Sequence, residues 1–534
     1  MRRFILVLAS VSSLHAQKFF ADDPMQSWPR PVNASAVKPR RINEYYDFFQ
    51  NSLFRPGESQ QKAGSVIPAR AVNTLGEVPD NEWYTNRHYR SRMMIDDLVR
   101  GPGNTAPPSM KLQWSVVSAK NEGITPGFTI VDSEGRRYLL KFDPPSNPEM
   151  ASAADVITSK FFYALGYNVP ENYVVRFRAE QLKIDSGARF TDAYGRRRSM
   201  TERDLRDMLA KVSGNQHGEF RALASRFIEG TPVGPFRYHG TRSDDPNDTV
   251  PHEHRRDLRG LRVFAAWLGH DDSKSLNTLD TLVKENGVEY VKHYLIDFGA
   301  SLGSATIAAN SPRSGNDHLF QWGPAARQFL SLGFAVPRWA RVSFPDIPAT
   351  GAFEYEMFDP EGWVSEYPNT AFSNMNLDDA FWAARQVMAF TNEDISALVQ
   401  TGKYSDPRAE DWVVRCLIER RDKIGRTYFA RVLPIDRFAV RYGRLDFQDL
   451  SALHFGTEES YSVQWFTFDN QAGTREAIEG AETFQVPASG SKYLAARIQG
   501  ERSGQSVIVY VRDGQDVVGR EILAGDSQLL SRKR

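Results

Sequence analysis

The sequence predicts an α+β protein with a β-rich segment, a mostly helical segment and a separate C-terminal domain of strands. Short apolar strands with turn residues between them occupy residues 112–142, which is typical of an antiparallel sheet. Apolar residues then recur at helical spacing within residues 377–432. Alternation of apolar and polar residues returns after residue 438, which predicts an all-β, sandwich-like domain.

These changes of pattern divide the 534 residues into four parts. Residues 1–16 have the features of a signal peptide. Residues 17–108 are rich in Pro, Asn, Arg and aromatic residues and predict an irregular arm with short helices at most. Residues 109–435 carry the mixed pattern of strands and helices, and residues 438–534 form the predicted small β domain.

The N-terminus predicts export. Arg2 and Arg3 precede an apolar run, Phe4–Val11, and Ala16 is a small residue where cleavage is expected. We therefore expect a periplasmic or extracellular protein. No later stretch approaches the roughly 18 apolar residues that a transmembrane helix needs, so none is expected.

Composition excludes several classes of protein. Lys plus Arg number 66 and Asp plus Glu number 66, so the formal net charge is zero. This balance argues against nucleic acid as a partner. Cys416 is the single cysteine, which excludes an internal disulfide, a zinc ribbon and a thiol redox pair.

The first functional pattern is a strand-end lysine between a glycine loop and an acidic helix. Gly123 and Gly127 lie in the loop between the first two predicted strands, and Lys141 stands near the end of the third strand. The helix predicted over residues 148–165 carries Glu149 and Asp155 in its first turns. The lysine could meet an anionic ligand, and a carboxylate of the helix could hold the lysine in place.

The second functional pattern joins three oxygen-bearing side chains. Asp272 and Asn277 stand five positions apart in a predicted loop, followed by two strands around Asn286-Gly287, a strong hairpin signal. The second strand leads directly into Asp297. Because a hairpin returns the chain to its starting level, we expect Asp297 to lie beside the loop that contains Asp272 and Asn277.

These residue types in this order suit the transfer of a phosphoryl group. The transferred group is highly negative, so catalysis is mostly positioning and charge neutralisation. Lys141 would reach the phosphates, while Asn277 and Asp297 offer the oxygen ligands that Mg²⁺ prefers. Asp272 would accept the proton of the attacking hydroxyl. The D-x4-N spacing of Asp272 and Asn277 matches that of the catalytic loop of kinases.

The segment from about residue 112 to residue 300 resembles the atypical kinase fold shared by HipA-like kinases and the catalytic domains of phosphatidylinositol 3-/4-kinases. The residues that carry this resemblance are Leu140-Lys141-Phe142, Gly166, Asn168-Val169-Pro170, Gly269–Asn277 and Leu295–Gly299. The resemblance implies a bilobal fold with a β-rich N-lobe and a helical C-lobe, and ATP with Mg²⁺ (or Mn²⁺) as cofactors. It also implies a nucleotide site at Lys141, Gly123 and Gly127, a catalytic Asp272, metal ligands Asn277 and Asp297, and an adenine hinge at Glu229.

The sequence leaves the acid partner of Lys141 open. The distance to Gly166 at the end of the helix favours Asp155 in the resemblance, and Asp155 is preferred. Glu149 has the longer side chain but stands at the helix start. The His-Arg-Asp motif of many kinases is absent, since Asp272 is preceded by His270-Asp271.

Three functions are consistent with these patterns. The leading hypothesis is an exported, ATP- and Mg-dependent phosphotransferase whose acceptor is a hydroxyl on a protein, carbohydrate or lipid. The second is a catalytically inactive pseudokinase that serves as a periplasmic or extracellular binding module, because ATP is scarce outside the cytoplasm. The third is a transferase that moves AMP instead of phosphate with the same metal ligands.

Overall fold

The computed structural model describes residues 17–58, 67–120, 127–192, 195–212, 218–320, 330 and 336–523. The expected signal peptide, residues 1–16, and Gly123 of the glycine loop lie outside these residues. Within the described residues no helix is both long and apolar enough to cross a membrane. The mixed α+β class is confirmed by the helices and sheets of the chain, whereas the two-lobed arrangement stays a prediction.

The described chain forms two compact units. The large unit takes its residues from 27–72 and 78–431, and the β unit takes its residues from 17–26, 73–77 and 432–525. The predicted arm, residues 17–108, is therefore divided between the two units. The C-terminal unit also begins at residue 432, a few residues earlier than the change in sequence pattern suggests.

A seven-stranded sheet dominates the large unit. Its strands are β1 (Trp114–Lys120), β2 (Gly127–Val131), β3 (Arg137–Phe142), β4 (Asn172–Arg178), β5 (Leu182–Thr191), β6 (Arg197–Ser199) and β7 (Glu219–Arg226). The spatial order is β4-β7-β3-β2-β1-β5-β6. Phe128 and Leu140 are fully buried in the core on one face. Gly127 and Lys141 occupy the alternate positions, so they lie on the opposite face.

A smaller sheet contains the predicted hairpin. Its strands are β8 (Thr231–Gly234), β9 (Thr278–Glu285) and β10 (Val288–Leu295), in the order β10-β9-β8. Asn286 and Gly287 have φ angles of 51° and 83°, as a tight hairpin turn with two left-handed residues requires. The backbone N–H of Ile296 donates to the carbonyl of Asn277 at 3.0 Å. The prediction that the chain returns to the loop before β9 is therefore confirmed.

Nine α-helices lie among the described residues of the large unit. They are α1 (Glu44–Phe49), α2 (Ile95–Arg100), α3 (Met150–Ala164), α4 (Glu202–Leu209), α5 (Arg256–Leu268), α6 (Thr370–Ser373), α7 (Leu377–Met388), α8 (Asn392–Gln400) and α9 (Pro407–Phe429). Helix α5 packs closely on α7, since a Cβ at Gly260 would lie 2.5 Å from the Trp382 ring. Gly269 ends α5 in the left-handed conformation, with φ 62°, and turns the chain into the 269–277 loop.

The β unit is built on a five-stranded antiparallel sheet. Its elements are β11 (Ile435–Arg441), β12 (Arg444–Asp449), α10 (Leu450–Phe455), β13 (Tyr461–Phe468), β14 (Arg475–Ala477), β15 (Tyr493–Gly500), β16 (Ser506–Arg512) and β17 (Asp516–Leu523). The β11–β12 hairpin contributes Ile435 and Leu445 to the apolar cluster around Trp465. Phe19 packs in a second cluster with Phe468. The unit is not all-β as predicted, because helix α10 belongs to it.

Candidate functional site

One face of the seven-stranded sheet and three loops enclose a cavity of about 760 Å³ in the large unit. The lining residues that carry charge are Lys141, Arg189, Arg197, Asp271, Asp272, Lys274, Asp297 and Glu366. Gly127 lines the cavity too, as the glycine-loop prediction requires, and a Cβ there would meet the Leu140 carbonyl oxygen at 3.1 Å.

Lys141 lies at the centre of this charge pattern. Its Nζ lies 2.8 Å from Asp297 Oδ1 and 3.7 Å from Asp155 Oδ2, and a quarter of its side chain remains exposed. Burial lowers the pKa of Lys141, but the two carboxylates outweigh burial and the net pKa is raised. The ammonium group is therefore charged at neutral pH and fixed between two acids.

The structure places Asp155, and not Glu149, beside Lys141. Asp155 Oδ1 accepts a hydrogen bond from Asn172 Nδ2 at 2.7 Å. Burial raises the pKa of Asp155 to about 6, with Lys141 opposing and Asp297 reinforcing that shift.

The prediction that Glu149 could be the acid partner of Lys141 is wrong, because Glu149 pairs with other residues. Its carboxylate lies 3.1 Å from Arg176 and 3.7 Å from Arg221, and it accepts from the Ser405 backbone N–H at 2.7 Å. The physical reason is local: Glu149 precedes α3 with φ 68°, a left-handed conformation that directs its side chain out of the helix.

Asp272 is held by two neighbours in its own loop. Asn277 Nδ2 donates to the Asp272 carbonyl and to Asp272 Oδ2, both at 2.8 Å. Lys274 Nζ lies 2.7 Å from Asp272 Oδ1. The amide nitrogen of Asn277 thus fixes Asp272.

Asp297 reaches the cavity from the end of the β9–β10 hairpin. It has a left-handed φ of 61° and a side chain that is 44% exposed. Burial of the carboxyl group raises the pKa of Asp297, but the neighbouring charge of Lys141 opposes this effect and the net pKa is lowered. The carboxylate is therefore ionised and accessible from the cavity.

Glu366 is a cavity residue that sequence reasoning missed. Its backbone N–H donates to the Asp271 carbonyl at 2.8 Å, and its carboxylate lies 3.9 Å from Lys274 Nζ. Burial and then the charge of Asp272 raise the pKa of Glu366 to about 7. No local signal could have found it, because the residues around it form neither a strand nor a periodic helix.

Three acids at this site have pKa values that are raised chiefly by burial. Besides Asp155 and Glu366, Asp271 has its pKa raised by burial, although Ser314 and Asn310 donate to it. Burial disfavours the ionised carboxylate, and a nearby cation favours it, as Lys141 does for Asp155.

The residues fit a divalent cation that is held jointly with a ligand. Among the described residues, no three His, Cys, Asp or Glu side chains are grouped to hold a metal ion by themselves. Mg²⁺ is usually bound through one or two carboxylates together with substrate phosphates, so a cage made only of protein groups is not required. Asp297 lines the cavity and carries the kind of hard oxygen donor that suits this mode, whereas Asn277 is not among the cavity-lining residues.

A segment of the predicted arm supports the loop that carries Asp272. Asp47 of α1 is fully buried. It accepts from Ser275 Oγ at 3.2 Å and from the Tyr367 hydroxyl at 2.8 Å. Glu44, one turn earlier, lies 3.2 Å from Lys274 Nζ. The arm therefore contacts the 269–277 loop through Asp47 and Glu44, and Asp47 also contacts Tyr367, the residue that follows Glu366.

Glu229 lies away from this charge cluster. Its side chain is 85% exposed and its carboxylate lies 3.1 Å from Arg226 Nη2. Gly230 follows with φ 96°, and a Cβ there would meet the Leu282 carbonyl oxygen at 2.5 Å. Close packing of this turn on β9 leaves the Glu229 side chain in solvent, so its carboxylate is not one of the cavity-lining groups.

Comparison with known proteins gives only distant likenesses. No family model matches the chain and no curated protein matches its sequence. Among solved structures, it is similar to the Helicobacter pylori proinflammatory kinase CtkA, with 11% identity over 57% of this chain and 94% of that one, and a TM-score of 0.28.

The Golgi casein kinase is also similar, with 9% identity over 78% of this chain and 94% of that one, and a TM-score of 0.31. Its structure with Mn/ADP bound gives 10% identity over 78% and 95% of the two chains and a TM-score of 0.27. At such TM-scores a likeness carries no weight, so the function is inferred from the site itself. The resemblance to HipA-like and phosphatidylinositol 3-/4-kinases stays a prediction.

Proposed function

We propose that the large unit binds a nucleoside triphosphate, expected to be ATP, and transfers its terminal phosphoryl group to a hydroxyl acceptor. One observation carries the proposal: Lys141 pairs with Asp297 in a cavity that Asp272 also lines, and the buried Asp155 lies 3.7 Å from the same lysine. Phosphoryl transfer needs little more than a positioned cation, neutralised charge and a base near the attacking hydroxyl. This cavity offers each of these groups.

Each residue has a definite role in this proposal. Lys141 binds the phosphates while Asp155 holds its ammonium group, and Asp297 with Asn277 holds Mg²⁺ or Mn²⁺. Asp272 accepts the proton of the acceptor hydroxyl while the acceptor oxygen bonds to the γ-phosphorus and the bond to the β–γ bridging oxygen breaks. The bound cation would neutralise the charge of the phosphates.

The ion pair between Lys141 and Asp297 supports these roles. At 2.8 Å the two groups neutralise each other. An anionic phosphate can replace the carboxylate beside Lys141, and a cation can replace the ammonium beside Asp297. Neither charge is then left without a partner of opposite sign.

Nucleotide binding tests the first half of the proposal. A ligand present at about 100 times its Kd stabilises the folded state by about 2.7 kcal/mol. We expect ATP with Mg²⁺ or Mn²⁺ to raise the melting temperature of the wild type, and Asp297→Asn and Lys141→Met to lose that increase. Asp207→Asn is the matched control, since it removes an exposed carboxylate of helix α4 to which no role in the site is assigned. A wild type that shows no metal-dependent stabilisation by ATP contradicts the proposal.

Transfer is tested with Asp272→Asn. This variant keeps the metal-binding and phosphate-binding groups, so it should retain ATP binding and lose most transfer to an acceptor. Retained transfer would remove Asp272 from its role as the base. Mass spectrometry of the acceptor also tells phosphate transfer from AMP transfer. A wild type that binds ATP but never transfers would match the pseudokinase hypothesis.

Export remains part of the proposal and rests on the sequence alone. The positive residues Arg2 and Arg3 before Phe4–Val11 support it. Expression in a bacterial host followed by N-terminal sequencing should find a mature chain in the periplasm that begins near Gln17. An uncleaved chain in the cytoplasm would contradict export.

A further inference from the structure

The seven-stranded sheet continues beyond β1 through two strands that carry arginines into the cavity. Strand β5 pairs with β1 in parallel, with Ser118 opposite Arg189. Strand β6 pairs with β5 in the antiparallel direction, with Thr191 opposite Arg197. Directly paired residues share a face of a sheet. Arg189 and Arg197 therefore lie on the same face as Lys141, and both line the cavity.

The arginines of this extension differ in their partners. Arg196 lies 2.8 Å from Asp192, and Arg198 lies 2.6 Å from Asp204. Arg197 stands between them in sequence. Among the residues that the structure describes, neither Arg197 nor Arg189 lies within ion-pair distance of a carboxylate. The hydrogen bond of Arg189 is to a neutral group, the Ser199 hydroxyl, at 3.4 Å.

Distance separates these arginines from the phosphate-binding lysine. Neighbouring strands are about 4.8 Å apart, and β5 is the third strand from β3, so Arg189 is displaced from Lys141 by about 14 Å across the sheet. A ligand would need a second anionic group, separate from the phosphates at Lys141, in order to pair with these arginines. The loops that line the cavity carry Asp271, Asp272, Lys274 and Glu366, and Lys274 is paired with Asp272 at 2.7 Å. Lys141 is likewise paired with Asp297, so among the described cavity-lining cations the two arginines are the ones that have no carboxylate within ion-pair distance.

We propose that Arg189 and Arg197 form an anion subsite for the acceptor, so that the acceptor is an acidic molecule. This inference rests on the proposed function, because it assigns the substrate class of the same cavity. The acceptor's carboxylate or phosphate pairs with the two guanidinium groups while its hydroxyl faces Asp272. The hydroxyl must reach a phosphate held at Lys141, so the offset of about 14 Å from Lys141 to Arg189 is the span to be bridged. For an extended peptide at about 3.3 Å per residue, this span places the acidic residue roughly four positions from the hydroxyl residue.

Direct binding tests the subsite without requiring transfer. The probe is a fluorescein-labelled peptide with a central serine and glutamates four positions away, and the comparison peptide has lysines in place of the glutamates. By fluorescence anisotropy at low salt, the wild type should bind the glutamate peptide at least about tenfold more tightly, and Arg189→Ala/Arg197→Ala should lose this preference. Arg196→Ala/Arg203→Ala is the matched control. It removes two exposed arginines from the same part of the chain, each of which is paired with an aspartate, and it should keep the preference for the glutamate peptide.

Several results would overturn the subsite. They are equal binding of the two peptides by the wild type, a preference that survives in Arg189→Ala/Arg197→Ala, and an equal loss in the control variant. ATP titration of the same proteins separates this inference from the proposed function. If Arg189→Ala/Arg197→Ala weakens ATP binding and leaves peptide binding unchanged, the arginines belong to the nucleotide and the subsite is wrong. If ATP does not bind the wild type while the acidic preference persists, the phosphotransfer proposal fails and the anion subsite stands.

Discussion

Replacing Asp47 by alanine should weaken both the large unit and the active site. Asp47 is fully buried and accepts hydrogen bonds from the hydroxyls of Ser275 and Tyr367. Its removal leaves two hydroxyl groups without their acceptor. A buried donor without a partner costs about 1–3 kcal/mol. Since the cavity left behind can relax or admit water, we expect the free energy of unfolding to fall by about 2–4 kcal/mol.

Urea denaturation followed by tryptophan fluorescence measures this change. The chain has ten tryptophans, and of these only Trp465 falls within the β unit, so the signal reports mainly on the large unit. In a double-mutant cycle, Tyr367→Phe removes one of the hydroxyls, so Asp47→Ala should cost less in that background. We expect a coupling of about 1–2 kcal/mol between the two changes.

The same substitution should reduce phosphate transfer at least about tenfold, because Ser275 belongs to the loop that positions Asp272. Asp97→Ala is the control. It removes a carboxylate of helix α2 that is 41% exposed and paired with Arg100 of the same helix, and should cost less than about 1 kcal/mol. If Asp47→Ala changes stability by less than Asp97→Ala, or if the coupling with Tyr367→Phe is zero, the inferred support of the loop by the arm is wrong.

Three further substitutions probe other parts of the chain. The pKa of Asp394 is lowered to about 2, because hydrogen bonds from His88 and from the backbone outweigh burial. The ionised Asp394 contributes roughly 2 kcal/mol to the free energy of unfolding above pH 4, and this contribution is lost as the pH falls from about 4 to 2. Thermal denaturation of Asp394→Asn should therefore depend less on pH in this range than that of the wild type. Gly166→Ala places a Cβ 2.2 Å from the Tyr84 ring at φ 111° and should lower the melting temperature far more than Gly135→Ala, whose Cβ meets nothing within 4 Å; equal effects would contradict the packing. Phe19→Ala, fully buried in the β unit, should destabilise that unit by about 3–5 kcal/mol, visible as earlier cleavage of the C-terminal strands in limited proteolysis.

Local patterns predicted most elements of the large unit. The strand predicted at residues 137–142 is β3 with the same bounds, and the helix predicted over residues 148–165 is α3, Met150–Ala164. The hairpin at Asn286-Gly287 followed from the turn residues alone. Each of these depends on neighbours within a few positions, through alternation, periodicity or turn chemistry.

Strands β5 and β6 were missed because their sequences do not alternate cleanly. Strand β5 carries Lys183, Asp185 and Gly187, which are depleted in strands. It is a strand because β1 pairs with it in parallel, and this pairing joins segments that are distant in the chain. The two arginines of the proposed anion subsite were missed for the same reason.

The candidate site was predicted in part. The sequence identified Lys141, Asp272 and Asp297, and the structure places all three around one cavity. The sequence left the choice between Asp155 and Glu149 open, because their spacing in α3 does not show which carboxylate the helix directs at the sheet. The unusual backbone of Glu149 and the packing of α3 decided it.

The sequence by itself determined most of the strands and helices, with the exception of strands such as β5 and β6, and the residue types that could carry phosphoryl transfer, since these depend on short-range geometry. Only the tertiary structure decided that Glu366 lies beside Asp272 and that Asp47, 320 residues before Tyr367, supports the same loop. The physical reason is that charge interactions and hydrogen bonds act over a few ångströms of space. Contacts between remote parts of the chain arise only when the sheet, the helices and the arm have packed together.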